Sequence, residues 1–295
     1  AIGSSIAGGV MAKDISAELK IPFGIVVHDL AGQGASQSGL PGGFLIAKVV
    51  TRIERAILES AKGVVAISQM MSDVIIRMGI QECRVSTILI YAANPITPNN
   101  RNIARAEFGW ASDDFIVIHT GNMGAKQDLE NVVRAADALT GDSRIKIYLV
   151  GHGNQENNLK ALCNGKRNIA VMPAVSDEDY SALLSAADLL LVNERSTQME
   201  MSLPSKLTSY LYSERPVLAA VPRGGATWKF LDGVAELVEA ADPKALAKKI
   251  EELSHNQFRL GELAKLGSEF AKKHLDPEVG RAKYLRWVED LIQNK

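Results

Sequence analysis

The sequence predicts an α/β protein made of two doubly wound, parallel-sheet domains, and three observations predict it. Short apolar runs alternate with helical patterns over most of the chain. A break rich in proline and asparagine, Asn94-Pro-Ile-Thr-Pro-Asn-Asn100, separates two such series. Glycines recur just beyond the carboxyl ends of the apolar runs, where such sheets bind ligands. The 295 residues are enough for two cores of ordinary size, and 46% hydrophobic with 23% charged residues is a globular composition.

Residues Ala1 to Lys20 read as a helix already under way, feeding a strand at Phe23–His28. A helix over 44–60, a strand at Gly63–Ser68, a short helix at Met70–Met78 and a strand near Val85–Ile90 follow. These make about half of a doubly wound sheet, so the N-terminal domain, residues 1–96, is expected to lack its leading strands. The break at Asn94–Asn100 cannot continue a helix or a central strand and serves as the linker. Beyond it, strands at Phe115–His119, Ile145–Val150, Ile169–Met172, Leu189–Val192, Pro216–Val221 and Ala235–Val238 alternate with helices, defining a second domain over 97–276. Helical stretches at Pro243–Leu253, Phe258–His274 and Pro277–Ile292 end the chain, the last, in 277–295, being expected to pack back on the N-terminal domain.

Charge narrows the function. Lys and Arg total 33 against 34 Asp and Glu, a formal charge of -1 that provides no electrostatic reason for nucleic-acid binding. Cys83 and Cys163 have neither metal-ligand nor C-x-x-C spacing and read as structural thiols of a reduced, cytoplasmic protein. No apolar run is long enough to span a bilayer, and the first residues lack the order of a secretion signal. Phe44–Leu58 is amphipathic, with Lys48, Arg52 and Arg55 on its polar side, which suits contact with the inner face of a membrane. A core-facing helix with a solvated charged side is the preferred reading.

The segment Phe115–Val133 carries most chemical information: a strand, a turn with Gly121 and Gly124, then a helical pattern beginning near Lys126. Free N–H groups at a helix start, the helix dipole and close approach at glycine all favour an anion there, and Lys126 adds charge. A tight α/β turn alone would look the same. Gly151 and Gly153 follow the next strand, and Gly224 and Gly225 a later one. With two such domains, the cleft between them is the expected site. A nicotinamide enzyme is excluded because Glu156 stands where Val150-Gly-His-Gly-Asn-Gln-Glu156 would need its third glycine. P-loop, H-E-x-x-H and G-x-S-x-G motifs are absent too. No D-x-D pair ends a strand, so metal-independent chemistry without a cofactor is expected.

Taken in order, His28-Asp29, Val65-Ala-Ile-Ser68, Thr120–Gln127, Val150-Gly-His-Gly153, Ser185-Ala-Ala-Asp188 and Leu203–Val217 resemble the retaining glycosyltransferases of family 4. Leu203-Pro-Ser-Lys-Leu207 is similar to the Pro-Ser-Lys-Leu variant of polysaccharide-assembly transferases. The resemblance covers nearly the whole chain. It implies the GT-B fold, a UDP- or GDP-linked sugar as donor, and transfer of a hexose-type unit with retention to a glycan or lipid-linked acceptor. It further implies donor contacts at Gly121, Asn122, Gly124, Lys126, Gln127, Gly151, Gly153, Pro204, Ser205, Lys206 and Ser209. Asn122 replaces the family's arginine, Lys126 comes one place early with Gln127 in its stead, and Lys206 is placed to supply the missing charge. The family's E-x7-E positions hold Met201 and Ser209, with Glu200 adjacent as a substitute, while Glu194 and Glu200 read equally well as loop carboxylates.

His28 falls where the family keeps a histidine beside the transferred sugar. His119, within its strand, reads as a packing residue or a backbone contact. The glycine-rich loop Ala31–Gly43 reads as a connector, or as an acceptor loop over the cleft. Two rivals remain: a sugar-nucleotide epimerase, which needs further acid-base groups, and a nucleotide-sugar-binding or scaffold protein that has lost activity.

Overall fold

In the computed structural model, residues 2–3, 6–30, 32, 43–91, 96, 99–197 and 203–293 are described. The chain forms two compact units: Ala1–Tyr91 with Met201–Leu203 and Pro277–Lys295, and Ala92–Glu200 with Pro204–Asp276.

Unit 1 contains β1 (Ile2–Gly3), α1 (Ile6–Leu19), β2 (Gly24–Val27), α2 (Gly43–Ser60), β3 (Gly63–Ala66), α3 (Gln69–Arg77) and β4 (Val85–Thr87), with the helix Pro277–Gln293. Its four strands are parallel in the order β1-β2-β3-β4. The sequence reading made the first residues helical and missed β1. Two residues carry no periodicity, and only pairing of Ile2 with Val26 makes them a strand. β3 stops earlier than expected because Ser68 caps α3, its Oγ accepting the Met71 N–H at 3.2 Å.

One sheet face buries Ile25, Val27, Val64 and Ala66 against Ile57, Leu58, Met71 and Ile75. The other buries Val26, Val65 and Ile88 beneath Tyr284 and Trp287 of the C-terminal helix. Gly24 and Gly63 make that second contact close: a Cβ at Gly24 would stand 2.5 Å from Trp287 Cη2, and one at Gly63 2.9 Å from its Nε1. Lys62 Nζ donates to the Leu291 carbonyl at 2.7 Å and fastens the helix end.

The charged-side reading of α2 needs correction. Ala47, Glu54, Ile57 and Leu58 are buried, yet Leu45, Ile46, Val49 and Ile53 are 68%, 56%, 55% and 37% exposed, next to Lys48 and Arg52. Apolar residues occupy more of this helix's circumference than one sheet face can cover, so a second apolar stripe is left to solvent.

Unit 2 contains α4 (Arg101–Glu107), β5 (Phe115–Asn122), α5 (Leu129–Ala138), β6 (Ile145–His152), α6 (Glu156–Cys163), β7 (Ile169–Met172) and α7 (Asp177–Ala186). After these come β8 (Leu189–Asn193), α8 (Lys206–Tyr212), β9 (Val217–Val221), α9 (Ala226–Leu231), β10 (Glu236–Glu239), α10 (Pro243–Ser254) and α11 (Gln257–His274). The six strands are parallel, ordered β10-β9-β8-β5-β6-β7. Both faces are covered, which is why strands such as Leu189–Val192 and Val217–Val221 are continuous apolar runs. The motif Ser185–Asp188 is structural. Asp188 pairs with Arg101 and buried Arg105 and accepts the Ile116 N–H at 2.7 Å, joining the starts of β5 and β8.

Two expectations about the glycine turn change here. β5 and β6 pair through Gly121↔Gly151 and Asn122↔His152, so both glycines lie in strand ends. α5 starts at Leu129 rather than near Lys126, because a 3-10 turn at Ala125–Gln127 and Asp128, at φ 43°, intervene. Asp128 is the N-cap residue of α5, its side chain makes no capping hydrogen bond, and desolvation holds its carboxyl above its ordinary pKa.

Candidate functional site

The winding of unit 2 reverses between β5 and β8, the place where open α/β sheets leave a crevice at the strands' carboxyl ends. These strands pair only at Val117↔Leu189 and Ile118↔Leu190, then separate. Side chains take over the hydrogen bonds the ladder no longer makes. His119 Nδ1 lies 3.0 Å from the Leu191 carbonyl, the Thr120 N–H donates to Tyr210 Oη at 2.8 Å, and Tyr180 Oη lies 3.1 Å from Thr120 Oγ1. Asn193, the last residue of β8, donates to the carbonyls of Gln127 at 2.7 Å and Asp128 at 3.0 Å, and accepts from Asn131 at 2.9 Å. This network holds the 125–128 segment above the strand ends.

The resulting pocket has a volume of about 640 Å³, within the range of small-ligand sites. Thr120, Gly121, Asn122, Gly151 and His152 line it from β5 and β6. Pro204, Ser205, Lys206 and Ser209 line it at the start of α8, with Tyr180 and Gln127 beside them. Eight of the sequence candidates are thus gathered: Gly121, Asn122, Gln127, Gly151, Pro204, Ser205, Lys206 and Ser209. Gly121 has φ +109°, and a Cβ there would stand 3.6 Å from Lys206 Nζ. At Gly151, φ +147°, a Cβ would run into the Gly121 carbonyl, so only glycine lets these strand ends stay paired.

Lys206 is no solvated surface lysine. Its ammonium lies 3.1 Å from His119 Nε2, and burial pushes its pKa down to about 8 against a smaller upward pull from Glu194. His119 is fully buried. Desolvation, then the Lys206 charge, hold it well below its ordinary value, so the imidazole is neutral. Burial pushes the Tyr180 and Tyr210 hydroxyls up. Among the described residues, the site therefore offers a half-buried cation, Lys206, beside neutral hydroxyl, amide and imidazole groups.

Other candidates fall elsewhere. Gly124 lies on a hollow of about 210 Å³ with Asp128, Gln155 and Arg195. Lys126 is exposed, with its carbonyl accepting the Arg195 N–H at 2.9 Å. Gly153 is a packing position, since a Cβ would stand 2.5 Å from the Met123 carbonyl. None of these three lines the Lys206 pocket, although Gln127, next to Lys126, does. His28, half-buried just beyond β2, lines a pocket of about 600 Å³ within unit 1, beside Tyr91, Tyr284 and Trp287. Glu200 and Met201 lie outside the described residues, as do Ala31, residues 33–42, and most of the 94–100 linker. Of the two cysteines, Cys163 is buried but Cys83 is exposed. Among the described residues no three His, Cys, Asp or Glu side chains gather as a metal site, and no helix is long and apolar enough to cross a membrane.

The sequence reads His119 as a packing residue or a backbone contact. It does bond a carbonyl, but its other nitrogen faces Lys206. Tyr180, Tyr210, Asn131 and Asn193 were missed altogether. A polar residue ending an uninterrupted apolar run, as His119 and Asn193 do, was the available signal.

Residues 100–274 match the family described as glycosyl transferases group 1. Over 258 residues, 83% of its length, the chain is 28% identical to the protein of Escherichia coli K12 named as a colanic acid biosynthesis glycosyl transferase, WcaI, and it spans 61% of that relative's length. The crystal structure of Anabaena HepE (Alr3699) in complex with UDP-glucose superposes with a TM-score of 0.79 at 15% identity, covering 98% of this chain and 78% of that one. Sucrose-phosphate synthase of Thermosynechococcus elongatus superposes with a TM-score of 0.80 at 17% identity, covering 98% and 73%. At such identities the likeness shows the fold, that of GT-B glycosyltransferases.

Proposed function

The chain belongs to the group 1 glycosyl transferase family, and we propose that it moves a hexose-type sugar from a nucleoside-diphosphate donor to a glycan or lipid-linked acceptor in surface polysaccharide synthesis. One observation carries this reading: a half-buried ammonium, Lys206, beside the glycines Gly121 and Gly151 near two strand ends at the switch point of a parallel sheet. A diphosphate fits that chemistry, since charge-assisted hydrogen bonds strengthen where water is excluded. The relatives agree in kind, one being named for colanic acid synthesis and another crystallised with UDP-glucose.

In this reading Lys206 and the backbone at Gly121 and Gly151 stabilise the departing diphosphate, whose negative charge grows as the glycosidic bond breaks. Ser209 stands where the family keeps a carboxylate, so its hydroxyl makes a weaker contact to the donor. His28 positions and polarises the transferred sugar. Retention follows from acceptor attack on the face the diphosphate leaves, which requires no side-chain nucleophile. Lys206 supplies the positive charge, so the reaction is proposed to need no metal.

Titration calorimetry with UDP and GDP, followed by transfer and donor hydrolysis with and without EDTA, tests the reading. Binding of one nucleotide with EDTA-resistant turnover is expected. Binding without turnover would leave a nucleotide-sugar-binding protein, and binding of neither would remove the donor site.

Work at the cytoplasmic face of a membrane is part of the proposal, supported by the exposed stripe Leu45, Ile46, Val49 and Ile53 beside Lys48 and Arg52. Cosedimentation with phosphatidylglycerol vesicles is expected, and to be lost in Val49→Ser/Ile53→Ser. Equal sedimentation of both proteins would reject it.

A further inference from the structure

Lysine is a poorly organised phosphate ligand on its own, since four rotatable bonds must be frozen before its charge occupies one place. At the β5–β8 divergence something freezes them. His119 projects into the gap left where the ladder stops, fully buried, with Nδ1 3.0 Å from the Leu191 carbonyl. A carbonyl only accepts, so Nδ1 carries the proton and Nε2 presents its lone pair. Lys206 Nζ donates to that lone pair at 3.1 Å, next to the open face of Gly121.

We propose that His119 is the positioning residue for Lys206, clamping its ammonium at the carboxyl end of β5 so that its remaining N–H groups face the phosphates of a nucleoside diphosphate. This rests on the donor reading above and adds how the half-buried Lys206 ammonium is aimed.

The residue type matters. A carboxylate in this place would satisfy the ammonium but neutralise the charge a phosphate needs. A neutral imidazole, locked by Leu191, takes one of the three N–H donors and leaves the full charge and two donors for the ligand. It cannot become a competing cation, because burial and Lys206 both oppose its protonation. Among the described residues, the other titratable groups around the ammonium are Glu194 after β8, which favours its charge, the neutral Tyr180 of α7 and Tyr210 of α8, and His152 at the end of β6.

His119→Phe keeps a ring without the acceptor, and His119→Gln keeps an acceptor of similar reach. Two measurements on the full chain read the effect. Without nucleotide, NMR titration of the lysine Cε signals should show Lys206 ionising at lower pH in His119→Phe than in the wild type, since the ammonium has lost its acceptor, with His119→Gln in between. By calorimetry, the UDP dissociation constant at pH 7 should rise roughly tenfold in His119→Phe, recover largely in His119→Gln, and be insensitive to position 119 in a Lys206→Ala background.

An unchanged lysine titration, or an equal loss of UDP affinity with and without Lys206, would overturn the proposal and leave His119 a packing residue. Should His119→Phe not fold, the His119→Gln/Lys206→Ala cycle decides by the same criterion. Should the wild type bind neither UDP nor GDP, the donor reading fails while the lysine titration still judges the clamp.

Discussion

Two pockets of nearly equal volume, about 600 Å³ in unit 1 and about 640 Å³ in unit 2, differ in what their glycines do. In unit 1, Gly24 and Gly63 strip side chains from the sheet so that the Trp287 indole can lie on it. The pocket that remains is walled by Tyr91, Tyr284, Trp287 and aliphatic side chains, with His28 its one imidazole. In unit 2, Gly121 and Gly151 have positive φ and keep two strand ends in contact below a half-buried lysine. The same residue type makes room for packing in one case and, in the proposed function, for a charged ligand in the other. Volume says nothing about which is which; the neighbouring charge does.

The comparison can be broken most sharply at Gly151. Gly151→Ala puts a Cβ into the Gly121 carbonyl at φ +147°, and a backbone clash with no flexible partner should cost about 3 kcal/mol and abolish UDP binding. Thermal melting and calorimetry check it, and retained UDP binding would mean that the strand ends are unimportant. Lys206→Ala comes next, with UDP affinity expected to fall about 10- to 100-fold, the worth of a charge-assisted hydrogen bond of about 1.5–3 kcal/mol.

Gly24→Ala crowds Trp287 and should cost about 1–3 kcal/mol of stability while leaving UDP affinity unchanged. A drop in UDP affinity would overturn the reading of Gly24 as a packing position. The smallest effect is on pH dependence. Lys206 ionises near 8 in the folded chain against 10.5 ordinarily, so between those values the unfolded chain binds more protons. Stability should therefore rise as pH climbs from about 8 toward 10.5, while UDP affinity falls above about pH 8. Lys206→Met should flatten the first trend in pH-dependent melting and remove the second.

How far the sequence could be read depended on the range of the forces involved. Central strands were legible because burial on both faces demands an apolar residue at nearly every position, as in Leu189–Val192. β1 was not, since a two-residue strand exists only by pairing with β2. The start of α5 was misplaced because Asp128, a left-handed residue other than glycine, marks the boundary. α2 looked like an ordinary amphipathic helix, and how much of its circumference the sheet covers is a matter of packing.

The amino-acid order by itself determined the alternation of strand and helix, hence the parallel sheets, and it marked the glycines beyond strand carboxyl ends and the lysine of the Pro-Ser-Lys-Leu motif. It also offered two lysines, Lys126 and Lys206, as joint partners of a diphosphate. Only the tertiary structure distinguishes their surroundings. Lys126 stays in water on a turn, whereas Lys206 is half-buried against His119, 87 residues away in sequence, and gives up part of its hydration. Hydration belongs to a place in the fold, and no local pattern encodes it.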